Sequence, residues 1–266
     1  MANFVEQING IYKVGKIATS EFIGIAADEK ICTINDRKFV GFDFIVVQDC
    51  KEEAHFVCGL LDRRGALHET DSQLAVRKSQ YFSTLSEELL ISEQAGIIDY
   101  IVRANQNPTL LLMGANKVTG IVTISDLQKI QAKSAFISLF LHFEDLLTNL
   151  LRHKMGQIHT NVINKFTESR AEKISKKISE LSDKDLFVDI WCALDFGDKK
   201  NLFLKSKMGT NISNNEVRKE FAAIEKYRNL VAHSSAKAEL FASEKFIAAT
   251  QHLIKWIEVF ETNAVN

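Results

Sequence analysis

Apolar and polar positions follow two different periods along this chain, and the change comes near residue 130. Before it, short runs rich in β-branched and aromatic residues stand between polar turns, so 42–47, 56–61, 110–113 and 117–124 read as strands. Between them, 92–104 (SEQAGIIDYIVRA) reads as a helix, with Ser92 as its cap and Ala95, Ile98, Ile101 and Val102 at helical spacing. Beyond residue 132 the period of two fades. The segment 134–154 carries Phe136, Leu139, Phe140, Phe143, Leu147 and Leu150 on one stripe, the pattern of an amphipathic helix. Further helical patterns cover 162–181, 184–194, 215–233 and 242–261. The predicted fold class is an α/β half followed by an all-α helical bundle, with domains over 1–131 and 132–266.

The α/β half also repeats itself. FIVVQD (44–49) followed by FVCGLL (56–61) has the plan of TLLLM (109–113) followed by KVTGIV (117–122), with Gly59 and Gly120 at equivalent places. Such a repeat predicts two copies of one unit that bury their faces against each other.

Composition adds less. The 266 residues hold 33 Lys+Arg against 34 Asp+Glu, a formal net charge of −1. That balance argues against a protein coated in basic residues for gripping duplex nucleic acid. It conceals an asymmetry, net −4 over 1–130 and net +3 over 131–266. With 1 proline in the chain, the junction is expected to be a helix starting near Ser134, not a proline-rich linker. No cationic run precedes an apolar core at the start, and no apolar run is long enough to span a bilayer, so a cytoplasmic chain with no membrane partner is expected. Cys32, Cys50, Cys58 and Cys192 form no CxxC and are expected to be buried, reduced thiols. The histidines show no metal-ligand spacing, so no metal site is expected.

Two motifs carry candidate chemistry. The first is GIVTISD (120–126), which runs a strand into a helix start. There, helix amides favour an anion and an aspartate can hold ribose hydroxyls, which places Thr123 and Asp126 on the same side of the opening. The structural alternative is that Ser125 caps the helix, with Gln128 completing a capping box. The stretch TLLLMGANKVTGIVTISDLQK (109–129), with its repeat, resembles the second half of a CBS-domain pair. The resemblance covers roughly residues 5–131 and implies a module that binds adenine nucleotides and regulates an attached domain. It implies that Thr123 and Asp126 contact ribose and phosphate. The first copy departs from the family pattern, because Gly59 is followed by LLDRRG (60–65). One nucleotide site per chain is therefore expected, although Arg63 or Arg64 could meet a phosphate.

The second motif is RNLVAH (228–233), inside NNEVRKEFAAIEKYRNLVAHS (214–234). The apolar stripe Val217, Phe221, Ile224 and Val231 is interrupted by Arg228, which therefore takes a core-facing place. Asn229 and His233 are four apart and share a face that the long Arg228 side chain can reach. This cation, amide and imidazole suit metal-free attack on a phosphodiester: arginine neutralises developing charge, and His233 can exchange a proton near neutral pH. The alternative is an arginine and a histidine that only complement the helix dipole. The R-N-x-x-A-H pattern in an all-α half resembles the HEPN superfamily over roughly residues 133–262, together with DFGDKKNL (195–202). That resemblance implies a four-to-five-helix bundle, a homodimer, and one composite ribonuclease site with Arg228, Asn229 and His233 as catalytic residues. It implies RNA as substrate and no cofactor for catalysis, while the CBS-pair resemblance implies an adenine nucleotide as regulatory ligand. Glu144 and Asp145 are weaker candidates for holding the arginine. A non-catalytic dimerisation or adaptor protein with a nucleotide sensor is the alternative function.

Overall fold

Each copy of the internal repeat builds a small sheet on a shared three-strand plan. After a first helix, α1 (Phe4–Ile11), strand β1 (Gly24–Ala26) lies parallel to β2 (Phe44–Lys51). β2 pairs antiparallel with β3 (Ala54–Asp62), which leads into the short α2 (Arg63–Ala66), and β4 (Phe82–Thr84) extends the sheet beyond β3. In the second copy β5 (Leu90–Ser92) leads into α3 (Ile97–Arg103) and lies parallel to β6 (Thr109–Gly114), which pairs antiparallel with β7 (Lys117–Thr123). The repeat extends to its irregularities. Val47 faces Gly59 and Leu112 faces Gly120, and in both ladders the register shifts at the next residue.

The two glycines share a reason. A Cβ on Gly59 would come within 2.1 Å of the Ser83 carbonyl oxygen, and one on Gly120 within 2.9 Å of that of Thr19. Each copy thus admits a third stretch of backbone against its second long strand. The period of two along β2 and β3 divides their side chains between two cores. Ile45, Val47 and Leu61 pack with Ile25, Ile34 and Phe39, whereas Val46 and Leu60 pack with Leu111 and Ile121 of the other sheet. The two copies bury faces against each other through that second core.

The computed structural model describes residues 3–51, 54–156, 159–182, 189–206, 212–232 and 243–264. By contacts the chain divides into two compact units, one built on Glu6–Ala132 and the other from Lys133 onward, joined within α4 (Ile130–Met155). The second unit continues through α5 (His159–Ile163), α6 (Glu168–Ser182), α7 (Ile190–Ala193), α8 (Phe196–Lys205), α9 (Asn214–Ala232) and α10 (Glu244–Ala264). Its core is aromatic: Phe143 stacks on Phe260 with ring centres 5.6 Å apart and meets Phe221 edge-on at 5.3 Å, and Trp256 meets Phe221 edge-on at 5.1 Å. Phe136, Leu139, Phe140, Phe143 and Leu147 of α4 are all buried, as their spacing predicts, whereas Leu150 is half-buried and Leu151 takes the core place.

Several boundaries differ from the sequence expectation. Ser92 ends β5 and does not cap a helix; α3 starts after Gly96, whose amide donates to the Asp99 carboxylate at 3.0 Å. Asn9 supplies the missing cap from α1, accepting from the Ile98 amide at 3.0 Å and donating to Asp99 at 2.7 Å. The single helix expected over 162–181 is two, because a turn at Asn164 and Lys165 interrupts it and the next helix starts only at Glu168. Of the helix expected over 184–194 only Ile190–Ala193 is described, and 184–188 lie outside the described residues. Helix α8 was not predicted. Cys32 and Cys192 are exposed free thiols and Cys58 is half-buried, so the thiols are not uniformly core residues; the Cys50 side chain lies outside the described residues. Among the described residues no helix is long and apolar enough to cross a membrane.

Candidate functional site

In the N-terminal unit, β7 delivers Thr123 to the start of a single 3₁₀ turn, Ile124–Gln128. Thr123 itself is the cap. Its amide donates to the Asp126 carboxylate at 2.8 Å, its hydroxyl lies 3.2 Å from the same oxygen, and the Ser125 hydroxyl is 2.6 Å from that of Thr123. The cap expected at Ser125 with Gln128 is therefore displaced to Thr123 with Asp126, since the turn begins two residues earlier. The other Asp126 oxygen is 2.7 Å from the Lys129 ammonium, which also bonds the Ile17 carbonyl. Asp126 is buried, and neighbouring Tyr100 donates its hydroxyl to the Pro108 carbonyl at 2.7 Å. Burial and the Asp126 charge hold the Tyr100 phenol well above its ordinary value, so it stays neutral.

The structure thus brings Thr123 and Asp126 together and commits both to closing the turn. Asp126→Ala is expected to destabilise the N-terminal unit by about 1–2 kcal/mol, because it removes a cap and the partner of Lys129. Asp126→Asn, which keeps an acceptor for the Thr123 amide, should lose roughly half of that. Chemical denaturation followed by circular dichroism measures both, and equal midpoints for Asp126→Ala and the parent would remove the capping role.

The equivalent place in the first copy is Asp62, opposite Phe44 as Thr123 is opposite Thr109. Its carboxylate accepts from the Gly65 amide at 3.2 Å, the reverse of the bond in the second copy, where the Thr123 amide donates to the carboxylate three residues on. Arg63 donates to the Ile34 carbonyl at 3.0 Å, and Arg64 pairs with Asp43 at 2.6 Å, so both arginines suggested for a phosphate already have partners.

In the helical unit the second motif lies at the end of α9. Val217, Phe221, Ile224 and Tyr227 form its buried stripe, so the core-facing place expected for Arg228 belongs to Tyr227. Arg228 sits half-buried at the margin, its guanidinium 5.5 Å from the centre of the Phe140 ring. It donates to the side-chain carbonyl of Asn229 at 3.0 Å, so the structure brings these two together. His233 lies outside the described residues. Glu144 pairs with Lys199 at 2.8 Å, and Asp145 accepts from Asn149 at 3.2 Å, so neither holds the arginine. Among the described residues no carboxylate pairs with Arg228, whereas Arg152 meets Asp189 at 2.8 Å and Arg170 meets Asp195 at 2.6 Å.

The stretch Asp195-Phe-Gly-Asp198 ahead of the motif helix has a structural role. Asp195 caps α8 by accepting from the Asp198 amide at 2.9 Å, Asp198 accepts from the Asp195 amide at 3.1 Å, and Arg170 reaches from α6 to clamp both carboxylates. Burial alone would raise the Asp195 carboxyl. The amide of Asp198 and the Arg170 guanidinium outweigh it and hold it below the ordinary value of 3.8. A depressed folded-state value contributes stability that is present above the unfolded value and lost as pH falls through the folded one. The melting temperature of the helical unit should therefore fall as pH drops below about 4, and Arg170→Ala should flatten that dependence. Thermal unfolding of both proteins across acid pH checks this, and parallel curves would exclude the clamp as its source.

No family model matches the chain, and no curated protein matches it. It is similar to a solved structure, that of a conserved CBS domain protein of unknown function from Thermoplasma acidophilum. Identity there is 17%, over 48% of this chain and 74% of that one, at a TM-score of 0.36.

Sequence reasoning missed the partners that fix these sites: Lys129 on Asp126, Asn9 on α3, and Phe140 beneath Arg228. Lys129 follows Asp126 by three residues and carried a readable signal. Asn9 and Phe140 are distant in sequence from what they touch, and no local pattern marks them.

Proposed function

We propose that the chain is a nucleotide-regulated endoribonuclease, in which an N-terminal CBS pair binds an adenine nucleotide and a C-terminal HEPN-like bundle cleaves RNA as a homodimer. The duplicated strand pattern, with its matched register shifts and the glycines Gly59 and Gly120, supports the CBS reading. Thr123 and Asp126 are the proposed ribose and phosphate contacts, and a ligand there has to share them with the turn they close.

The observation that carries the nuclease reading is Arg228. A half-buried guanidinium with no carboxylate partner among the described residues, oriented by Asn229, is a cation free to meet a phosphodiester. In the proposed reaction the ribose 2′-oxygen forms a bond to phosphorus and the bond to the 5′-oxygen breaks. His233 takes the 2′-hydroxyl proton, and the same residue of the second copy protonates the departing 5′-oxygen. The products are a 2′,3′-cyclic phosphate and a 5′-hydroxyl, and Arg228 with Asn229 stabilises the charge that builds on the phosphorus oxygens. The competing reading is a non-catalytic dimerisation or adaptor unit, favoured by the Phe140 ring under Arg228, which gives the arginine a packing role.

The purified protein incubated with RNA in EDTA, with and without AMP or ATP, tests this directly. Cleavage to 2′,3′-cyclic phosphate ends that changes with nucleotide supports it. Unchanged RNA in every condition overturns it in favour of the adaptor.

A further inference from the structure

The two longest carboxylate-free stretches of the helical half are 146–167 and 199–215. They are separated in sequence by the acidic residues of α6 and its surroundings, yet both come to one open cavity of about 310 Å³. Lys154 lies at the end of α4, Asn161 is on α5, Lys165 follows it, and Leu202, Lys205 and Ser206 come from the end of α8. All the described lining residues belong to the two acid-free stretches. The volume is at the lower end of the roughly 300–1,000 Å³ typical of small-ligand sites.

The charge around this cavity is uncompensated. Lys205 donates to the main-chain carbonyl of Lys165 at 2.7 Å, and no carboxylate pairs with Lys154, Lys165 or Lys205 among the described residues. Other lysines of the unit do meet carboxylates, Lys199 at Glu144 and Lys255 at Glu220, both at 2.8 Å. Helices α4, α8 and the short α5 end at the cavity, and a helix C-terminus carries up to about half a negative charge, so their dipoles offset roughly one to one and a half of the three cations. A surplus of about one and a half to two positive charges remains, with the Asn161 amide as a neutral donor and Leu202 as an apolar wall.

We infer that this cavity binds a phosphate group, carried either by a free ligand of nucleotide size or by the backbone of single-stranded RNA. Lysine ammoniums serve as point charges for phosphate oxygens, and among the described lining residues no carboxylate repels an anion. The site is distinct from Thr123 and Asp126 and does not depend on cleavage at Arg228.

The test uses the full chain and two probes, pyrophosphate by calorimetry and a fluorescein-labelled oligouridylate by anisotropy, at about 50 and about 200 mM salt. The combined variant Lys154→Ala, Lys165→Ala, Lys205→Ala is expected to weaken binding of at least one probe by roughly tenfold or more. It should also flatten the salt dependence of oligonucleotide binding by about 0.7 in log–log slope per lost phosphate contact. Lys176→Ala, on the exposed face of α6, should leave both affinities unchanged. Oligouridylate bound alone assigns the RNA backbone; pyrophosphate bound, with or without the oligonucleotide, assigns a free phosphate ligand. Failure of the intact protein to bind either probe, or equal binding by the triple variant, overturns the inference. Should the triple variant lose its helical circular dichroism, the milder Lys154→Gln, Lys165→Gln pair applies the same criterion.

Discussion

Arg228→Ala is expected to lower RNA cleavage by about 10²–10³-fold, the loss seen when one preorganised donor to a developing oxyanion is removed. The fold should survive it. Arg228 lies at the margin of the α9 stripe, and its contact with Phe140 contributes on the order of 0.5–1 kcal/mol, little enough to leave the unit folded. The variant therefore separates chemistry from packing: a melting temperature close to the parent's with cleavage nearly abolished is the expected pair. Arg228→Lys keeps the charge but lacks the planar fork, so it should fall between the two. His233→Ala should lose at least as much activity, because its proton transfers contribute about 10²–10⁴-fold. Gel-resolved cleavage rates of the four proteins, alongside their thermal unfolding, provide the measurement. Equal rates for the parent and Arg228→Ala would sink the catalytic role, and the arginine would then be a packing residue on Phe140.

Glu220→Ala should strongly destabilise the helical unit although it removes a charged residue. This carboxylate is buried between α9 and α10, where it accepts from the indole of Trp256 at 2.6 Å and from Lys255 at 2.8 Å, with His252 at 3.3 Å. Its charge and hydrogen bond in turn raise the Lys255 ammonium's pKa, against the opposing effect of burial. Removal leaves a buried indole N–H without an acceptor inside the aromatic core and leaves a small cavity. The expected cost is about 2–4 kcal/mol; the Lys255 part is discounted because that side chain is 40% exposed. In a unit of this size that corresponds to a fall of roughly 5–15 °C in melting temperature. Glu220→Gln retains an acceptor for Trp256 and should recover about half of the loss. Scanning calorimetry or circular dichroism melting measures the series, and a parental melting temperature for Glu220→Ala would remove Glu220 as the clamp between these helices.

Glu220 also shows where sequence reading stopped. It falls within the apolar stripe of α9 one residue before Phe221, and as a glutamate in a charged segment it reads as solvent-facing. Only the approach of α10 turns it into a core residue, because Trp256 and Lys255 arrive from outside its local sequence. Arg228 was misread in the opposite sense. Helical spacing from Phe221 and Ile224 places it in the core, but α10 supplies Phe246, whose ring centre lies 5.4 Å from that of Tyr227, so Tyr227 takes the buried place and Arg228 stays at the margin over Phe140. The short strands β1, β4 and β5 span too few residues to show any alternation, and they exist because β2, β3 and β6 offer them paired edges.

By itself the sequence determined the change from a two-residue to a 3.6-residue period near residue 130, the duplicated plan around Gly59 and Gly120, and the apolar stripe of α4. Each of these is a local pattern whose physical cause, burial of one face, acts over neighbouring residues. Tertiary structure alone decided the rest. It put Lys129 on the Ile17 carbonyl, and Phe140 under Arg228. It also gathered two acid-free stretches around one lysine-lined cavity. Those contacts join residues from separate elements, and a hydrogen bond or an ion pair leaves no periodic mark on the chain that it closes.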